Sequence, residues 1–305
     1  MSVEQTFLRA TKPILYDITK EQALSDFKKL QEYQGNFNSL SRVGMTAGNY
    51  YFLKHRIQAR NNSNKTYGEI CEDAEYKINI INKVKKFYPC VSYKNIYLLV
   101  SWRGSIVSQF RPLIAKTVFE TLGAKKILDP CCGWGDRLVG ALATKTVERY
   151  TGIDSNTNMK ESYDAMITDL NSNKEIQIIL EPCEQVDFSV LDYDCVFTSP
   201  PYFNKEIYQH SPTYSSYDDW VKTFLRPLLE KSFRYLRENG HICINITDHK
   251  NHKIVDAVLE ILTSVGGVQQ SQFRYIIRNR QTKVSASKYE PIIVFQKKTA
   301  KSQTV

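Results

Sequence analysis

The stretch KKILDPCCGWGDRLVGALATK, residues 125–145, decides the fold that the sequence predicts. Its first residues, KKILD, are typical of a short buried strand, and the CCGWG that follows is typical of a tight glycine-rich turn. The residues from Asp136 onward have the apolar spacing of a helix. A strand that enters a helix through such a turn is the repeating unit of a parallel α/β sheet.

The residues on the carboxyl side continue this alternation. Strands are predicted over 149–154, 175–180, 193–200 and 241–247, and helices over 157–170, 217–237 and 252–264. Gly240 is expected to end the long second helix. The last two strand-like runs, 272–278 and 291–297, are separated by a basic loop too short for a helical crossover, so they are predicted to pair as an antiparallel hairpin.

The residues on the amino side are predicted to be mainly helical. Thr19 and Gln22 have the spacing of a capping box at the start of one such helix. The predicted organisation is therefore a mainly helical N-terminal region at 1–95, an α/β domain at 96–298 and a basic tail at 299–305.

The composition narrows the class of protein. The chain has 305 residues, of which 42% are hydrophobic and 24% charged, which is typical of a globular protein and excludes a disordered or fibrous one. No apolar run reaches the roughly 18 residues of a membrane span, and the N-terminus lacks the pattern of a secretory signal, so an intracellular, cytoplasmic location is predicted, or a nuclear or host-cell one for a viral protein. The seven cysteines form no C-x-x-C pair, so they are interpreted as reduced thiols and no metal site is predicted.

The charge of the chain is unevenly distributed. The formal net charge is +9, with +8 over residues 1–120, −6 over 121–200 and +7 over 201–305. Basic flanks suit a polyanion, because each phosphate neutralised by Lys or Arg releases counterions. A solvated basic face that binds nothing specific is the alternative.

The glycine turn and the next strand together predict a nucleoside cofactor. Gly133 and Gly135 stand where the backbone passes close to a ligand at a helix N-terminus. Asp154 ends the next predicted strand, where a carboxylate can accept hydrogen bonds from both hydroxyls of a ribose. An ordinary α/β turn capped by polar residues is the alternative.

A second motif, TSPPY at 198–202, ends the fourth predicted strand. Consecutive prolines restrict φ and donate no hydrogen bond, so their carbonyls become rigid acceptors. Methylation of a planar amine needs acceptors for the amino hydrogens, because the nitrogen lone pair is conjugated with the ring. The Ser199 side chain and the Pro200 carbonyl can fill this role, and the ring of Tyr202 is expected to stack on the base. The predicted catalytic residues are Ser199, Pro200, Pro201 and Tyr202.

The two motifs resemble those of the S-adenosylmethionine-dependent DNA amino-methyltransferases, with D-P-x-x-G-x-G followed by [S/T/D/N]-P-P-[Y/W/F]. The resemblance covers about 100–298 and implies a Rossmann-like, seven-stranded α/β sheet ending in an antiparallel hairpin. The longer pattern S-P-P-Y-F-x-x-E-I-Y, residues 199–208, is similar to stand-alone methylases of phages and large DNA viruses. Cys131, where the family often has Phe, and Trp134, where it has a small residue, depart from the pattern. The residues that the resemblance assigns to cofactor binding are Arg111, Asp129, Pro130, Cys131, Gly133, Gly135, Asp154, Ser155 and Cys183.

The resemblance implies methyl transfer from S-adenosylmethionine to an exocyclic amine of a base in duplex DNA, either cytosine N4 or adenine N6, in a restriction-modification or viral setting. The Ser of TSPPY favours cytosine. The target base must be flipped out of the duplex. The segment 203–217, with Tyr208, His210 and Tyr214, is the expected lid, and the N-terminal region is expected to read the sequence. The predicted DNA-binding residues in the hairpin loop are Arg278, Arg280, Lys283 and Lys288.

Several alternatives remain open at this point. Related pockets accept other planar amines, so RNA or a protein glutamine is a possible substrate class, and a catalytically silent nucleic-acid-binding protein is another. Cys183 follows a Pro, as in carbon-5 cytosine methylases, but it follows the third predicted strand and the chemistry needs a thiol after the fourth. Asp248, His249 and His252 are better explained as a loop than as a metal site.

Overall fold

The computed structural model describes residues 1–61, 65–102, 105–171, 173–203, 206–207, 213–249, 251–278 and 288–299, with the backbone alone at 60–61, 206–207, 276–278 and 288. The helices are α1 (Val3–Arg9), α2 (Lys20–Glu32), α3 (Met45–Arg56), α4 (Tyr67–Glu72), α5 (Ala74–Phe87), α6 (Tyr93–Trp102), α7 (Pro112–Leu122), α8 (Asp136–Ala143), α9 (Lys160–Leu170), α10 (Tyr217–Trp220), α11 (Arg226–Arg234) and α12 (Ile254–Ser264). The strands are β1 (Arg60–Asn61), β2 (Lys126–Asp129), β3 (Arg149–Ile153), β4 (Glu175–Ile179), β5 (Cys195–Thr198), β6 (Glu206–Ile207), β7 (His241–Asn245), β8 (Val268–Gln269), β9 (Phe273–Arg278) and β10 (Lys288–Gln296).

The main sheet has the order β4-β3-β2-β5-β7-β10, with five parallel strands and β10 antiparallel to β7. The order reverses between β2 and β5, so the chain crosses from one half of the sheet to the other at this point. Ligands of open α/β sheets bind beyond the carboxyl ends of the strands at such a reversal.

The C-terminal hairpin is present as predicted. β9 pairs antiparallel with Lys288–Ile292 of β10, and β8 pairs with the end of the same strand at Phe295 and Gln296. β8 and β9 therefore pair with different parts of the same edge of β10. Counted together as one strand position, they give the sheet seven strand positions. The predicted Rossmann-like seven-stranded α/β fold with a C-terminal antiparallel hairpin is confirmed.

Helices cover both faces of the sheet. One apolar core joins α7, α8 and α9 to the sheet, and a second core joins the opposite face to α11 and α12. The contact between α7 and α8 is close, since a Cβ at Gly140 would lie 2.6 Å from the Cβ of Ala115. This packing holds α8, which begins directly after the glycine turn, firmly on the sheet.

The N-terminal region is helical, and it is packed in two parts. Phe27, Leu30 and Phe52 of α2 and α3 belong to the same core as α7–α9, whereas α4–α6 form a core of their own with Phe7. The capping box at Thr19 and Gln22 begins α2 as predicted. Helix α6 runs across position 95, so the predicted boundary lies inside an element, and the domain division stays a prediction.

The long helix predicted over 217–237 is shorter than expected. It runs as α10, a π-helical turn at Val221–Leu225 and α11, and ends at Arg234. Gly240 does not end it: Asn239 takes the left-handed conformation at φ 63°, and a Cβ at Gly240 would lie 2.6 Å from the carbonyl oxygen of Asp194. The backbone beyond α11 is instead turned toward β5, where the N–H of Arg237 donates to the carbonyl of Tyr193.

Within the described part of the chain, no helix combines the length and the hydropathy that crossing a membrane requires. All seven cysteines are free thiols.

Candidate active site at the carboxyl edge of the sheet

The glycine turn and the TSPPY motif leave the sheet at the same edge. β2 and β5 are neighbouring parallel strands, with Leu128 opposite Val196, and both end at this edge. Thr198, the last residue of β5, stands opposite Ile244 of β7. The sequence predicted two motifs on separate strands, and the topology brings them together where the strand order reverses.

The glycine turn has two left-handed residues with different surroundings. Gly133 has φ 57°, and a Cβ added to it would meet nothing within 4 Å. Gly135 has φ 68°, and its Cβ would lie 3.0 Å from the ring of Phe52. Gly133 therefore leaves open space beside its backbone, where a ligand can approach, whereas Gly135 lets α3 pack against the start of α8.

Asp154 is joined directly to the turn. Its Oδ2 accepts the N–H of Gly133 at 3.0 Å, and its Oδ1 accepts the N–H of Asn156 at 2.9 Å. Because each carboxylate oxygen has a second lone pair, both still have capacity for hydroxyl donors. Burial raises the pKa of Asp154 to about 6, opposed by the hydrogen bonds from Asn156 and Gly133. This geometry fits the predicted ribose contact.

Asp129 makes its side-chain hydrogen bonds within the protein, and its predicted contact with the cofactor stays a prediction. Its side chain is fully buried and accepts Nε of Arg137 at 2.7 Å, Nη2 of Arg137 at 3.1 Å and the hydroxyl of Tyr150 at 2.7 Å. Arg137 also donates to the carbonyl of Cys131. Asp129 therefore stabilises the glycine turn by orienting Arg137, which binds the turn carbonyl. The sequence did not predict this role of Arg137, because a basic residue on a helix has many possible partners.

The cysteines of the turn lie in its interior. Burial raises the pKa of Cys132, whose thiol contacts the hydroxyl of Tyr163 at 3.1 Å, and that hydroxyl donates to the carbonyl of Gly133. Cys131 is half-buried, and a hydrogen bond with Cys183, together with burial, raises its pKa well above the usual range. The structure thus brings Cys183 to the glycine turn, and the predicted role of Cys183 in cofactor binding stays a prediction. Pro130 is buried and Ser155 is half-buried.

The TSPPY motif forms a rigid connection between β5 and the segment that follows it. Ser199 and Pro201 are half-buried, and Pro200 is buried. Tyr202 is only 7% exposed, and its hydroxyl accepts the N–H of Thr247, beyond the end of β7, at 3.0 Å. The tyrosine fixes the motif to the neighbouring strand. Its predicted stacking on a base stays a prediction.

An aromatic cluster follows the motif. The rings of Tyr217 and His252 are stacked with centroids 4.5 Å apart, and Phe203 meets His252 edge-on at 5.3 Å. Asp248 accepts the N–H of Val255, in the first turn of α12, at 3.0 Å. Tyr214 contacts Phe224, with centroids 6.2 Å apart. The other lid residues named from the sequence, Tyr208 and His210, lie outside the described residues.

The N-terminal region reaches this side of the molecule. The backbone of β1 pairs antiparallel with β6, with Arg60 opposite Ile207 and Asn61 opposite Glu206. β6 lies just beyond the TSPPY motif. The sequence contained no signal for this pairing, because each strand has only two residues.

A polar bridge joins α3 to α8. Nε2 of Gln109 donates to Oδ1 of Asp136 at 2.7 Å and to the carbonyl of Met45 at 3.1 Å. Burial raises the pKa of Asp136 to about 6. A Cβ at Gly48 would lie 2.5 Å from Oδ1 of Asp136, so α3 packs closely on the first residue of α8. Gln109, Asp136 and Gly48 were not predicted from the sequence, because their contact is between distant segments.

Arg111 is oriented toward the N-terminal region. Its Nη1 donates to the carbonyl of Ser39 at 2.6 Å, and its guanidinium carbon lies 5.2 Å from the centre of the Tyr275 ring. The preceding Phe110 packs edge-on against Phe197 of β5, with centroids 5.8 Å apart. The segment therefore borders the site, and the pairing of Arg111 with a cofactor carboxylate stays a prediction.

Of the four predicted DNA-binding residues, two are described by their backbone and two lie outside the described residues. Arg278 and Lys288 face each other in the backbone register of β9 and β10. Arg280 and Lys283 lie outside the described residues.

Comparisons with known proteins show what the chain is similar to. The model of a DNA methylase family, N6_N4_Mtase, matches residues 193–305, a little more than the last third of the chain, which includes the TSPPY motif and the hairpin. No curated protein matches the chain. Among solved structures, a protein described as a class I S-adenosylmethionine-dependent methyltransferase from Listeria monocytogenes is 16% identical, covers 93% of this chain and 90% of its own, and gives a TM-score of 0.46. A methyltransferase from Pyrococcus furiosus is 14% identical, covers 73% of this chain and 98% of its own, and also gives 0.46.

Proposed function

We propose that this protein is a methyltransferase that transfers a methyl group from S-adenosylmethionine to the exocyclic amine of a flipped base in duplex DNA, at cytosine N4 or adenine N6. One observation carries the proposal: the open glycine turn with Asp154 and the acceptor-rich TSPPY motif leave neighbouring parallel strands at the same sheet edge. The family match over residues 193–305 supports DNA as the substrate.

The residues of the turn fit the cofactor. Asp154 binds the ribose hydroxyls with its remaining lone pairs, and Gly133 leaves space for the rest of the molecule. Cys183 and Cys131 form an apolar wall beside them. When bound, S-adenosylmethionine supplies a methyl carbon carried on a positively charged sulfur.

The TSPPY residues prepare the amine. Ser199 Oγ and the carbonyl oxygen of Pro200 accept hydrogen bonds from the two amine hydrogens. These bonds reduce the conjugation of the nitrogen lone pair with the ring and direct the lone pair at the methyl carbon. S-adenosylmethionine held there would give its methyl group to this nitrogen and leave as the thioether, and the nitrogen would release one proton to solvent. Tyr202 keeps the acceptors in place through its bond to Thr247.

The experiment that tests the function compares substrates directly. The protein is incubated with labelled S-adenosylmethionine and, in parallel, with duplex DNA, RNA and protein, and methylated DNA is digested to nucleosides that are identified by mass. Label in N4-methylcytosine or N6-methyladenine supports the proposal. Label only in RNA or in protein, or no transfer to any of them, contradicts it.

The cofactor site gives a prediction with a matched control. Gly133 and Gly123 are both left-handed, at φ 57° and 60°, and an added Cβ at either meets nothing within 4 Å. Gly123→Ala and Gly133→Ala should each lower the free energy of unfolding by about 1–2 kcal/mol, the cost of the left-handed conformation for alanine. Calorimetry should show that only Gly133→Ala weakens the binding of S-adenosylhomocysteine, by about tenfold or more, which corresponds to about 1.4 kcal/mol. Equal affinities in both variants would show that Gly133 does not face the cofactor.

Asp154 gives a pH dependence. The ionised carboxylate accepts stronger hydrogen bonds than the neutral acid, so the affinity for S-adenosylhomocysteine should fall about five- to tenfold as the pH drops through about 6. Stability changes in the opposite sense: because burial raises the pKa above the usual 3.8, the contribution of Asp154 to folding is complete below 3.8 and is lost as the pH rises through about 6. Titration calorimetry at several pH values checks the affinity.

The Asp154→Asn variant should bind with no inflection near pH 6. Asp136→Asn is the control, since Asp136 also has a pKa of about 6 and is bonded to Gln109. If Asp136→Asn removes the inflection and Asp154→Asn keeps it, the assignment of the ribose contact is wrong.

A further inference from the structure

The chain contains a long stretch without acidic residues. Residues 76–119 include no Asp or Glu, and their basic residues are Lys77, Lys83, Lys85, Lys86, Lys94, Arg103, Arg111 and Lys116. Most of α5 and all of α6 lie in this stretch. The surface that these two helices expose is therefore mainly basic, although Glu75 of α5 is exposed and Glu4 pairs with Lys85. A mainly basic surface suits a polyanionic partner.

Two large aromatic side chains are exposed where these helices end. Phe87, the last residue of α5, is 54% exposed, and Trp102, the last residue of α6, is 53% exposed. Their rings meet edge-on, with centroids 6.1 Å apart and planes at 77°. Exposed aromatic residues that cluster on basic surfaces are typical of binding sites and not of a solvated face.

The lysines near these rings are of two kinds. Lys77 is buried and donates to the carbonyl of Ala10 at 2.8 Å, and Lys85 is paired with Glu4 at 2.9 Å. Lys86 has its ammonium 5.7 Å from the centre of the Phe87 ring. Lys83 lies one helical turn before Phe87, on the same side of α5. Lys83 and Lys86 thus flank the aromatic pair, whereas Lys77 and Lys85 hold the fold.

We propose that Lys83, Lys86, Phe87 and Trp102 form a DNA-binding surface, which we call the aromatic-lysine surface. The two ammonium groups bind backbone phosphates, and the rings pack against the bases and sugars of the same strand. The inference rests on the proposed function, since it assumes that DNA is the substrate.

The position of the surface fits DNA that flanks the target base. Phe110 is eight positions after Trp102 in the chain, so their Cα atoms lie at most about 28 Å apart, even with the chain fully extended. Phe110 packs on Phe197, two residues before Ser199. The surface therefore lies within about 50 Å of Ser199, which is roughly one and a half turns of duplex DNA.

The test measures DNA binding without cofactor. Fluorescence anisotropy with a labelled 30-base-pair duplex of mixed sequence is recorded between 50 and 200 mM salt for the wild type, for Phe87→Ala/Trp102→Ala and for Lys83→Gln/Lys86→Gln. The aromatic variant should bind about tenfold more weakly. The lysine variant should bind more weakly at low salt, with a slope of log affinity against log salt smaller by about 2, which corresponds to two phosphate contacts.

Matched controls come from elsewhere on the surface. Tyr235→Ala removes another exposed aromatic side chain, and Lys28→Gln/Lys29→Gln removes two exposed lysines of α2. Both controls should bind as the wild type does. All variants should melt at the wild-type temperature and bind S-adenosylhomocysteine unchanged, because the residues concerned are exposed, or half-buried in the case of Lys83, and are not part of the cofactor site.

A second readout reports on Trp102 itself. The chain has three tryptophans, of which Trp220 is 1% exposed and Trp134 is half-buried. DNA should quench part of the tryptophan fluorescence of the wild type, and this quenching should be smaller in Trp102→Phe. Unchanged quenching in Trp102→Phe, together with wild-type affinity and salt slope in the double variants, overturns the proposal. Loss of self-association with unchanged DNA affinity also overturns it, since the surface is then a protein contact.

The design separates this proposal from the proposed function. If methyl transfer to DNA is observed and the double variants bind DNA normally, the aromatic-lysine surface is wrong and the function stands. If the variants lose DNA affinity and no methyl transfer to DNA occurs, the surface stands and the function is wrong.

Discussion

Replacing Arg137 by Met is expected to lower the free energy of unfolding by about 3–5 kcal/mol, because it leaves the buried charge of Asp129 without its partner. The carboxylate is fully buried and receives two bonds from Arg137 and one from Tyr150. Methionine has a similar stem length, so the loss measures the charge pair more than the packing. Urea unfolding followed by circular dichroism gives the difference.

The pair offers an internal check. Asp129→Asn/Arg137→Met removes both charges and should recover part of the stability, since no uncompensated charge remains. Lys160→Met breaks the exposed pair of Lys160 with Asp164 on α9 and should leave the unfolding midpoint unchanged. If Arg137→Met unfolds at the same urea concentration as Lys160→Met, then Arg137 does not brace the turn.

Replacing Ser199 by Ala is expected to lower the rate constant for methyl transfer to DNA by about a hundredfold, the usual effect of removing one hydrogen-bonding group directed at the reacting atoms. Ser199 directly follows β5, which pairs with β2, the strand that precedes the glycine turn. Single-turnover transfer from labelled cofactor measures the rate, and the affinity for S-adenosylhomocysteine should stay the same.

Two further substitutions test whether the effect comes from the hydrogen-bond acceptor at position 199. Ser199→Asp keeps an acceptor and should retain more activity than Ser199→Ala. Ser189→Ala removes an exposed serine outside the site and should have no effect. Transfer by Ser199→Ala within twofold of the wild type would show that its side chain does not contact the amine.

Some features could be predicted from the sequence because they depend on neighbours along the chain. Apolar periodicity predicted the strands and helices of the sheet, and the left-handed φ of Gly133 follows from a turn that links a strand to a helix. The capping box at Thr19 also depends on residues three positions apart. Boundaries were less accurate, as with the helix that ends at Arg234, because the contacts that turn the chain toward β5 come from residues distant in sequence.

The remaining features were decided by the tertiary structure alone. The sequence alone predicts the parallel sheet and places the glycine turn and the TSPPY motif at strand ends. It can do so because apolar periodicity and turn residues determine the conformation of the segment that contains them. Which side chain neutralises Asp129, which helix packs on Gly135 and which segment pairs with β6 depend on segments far apart in the chain. Burial decides these contacts, since a charged or polar group removed from water must find a partner wherever the fold brings one.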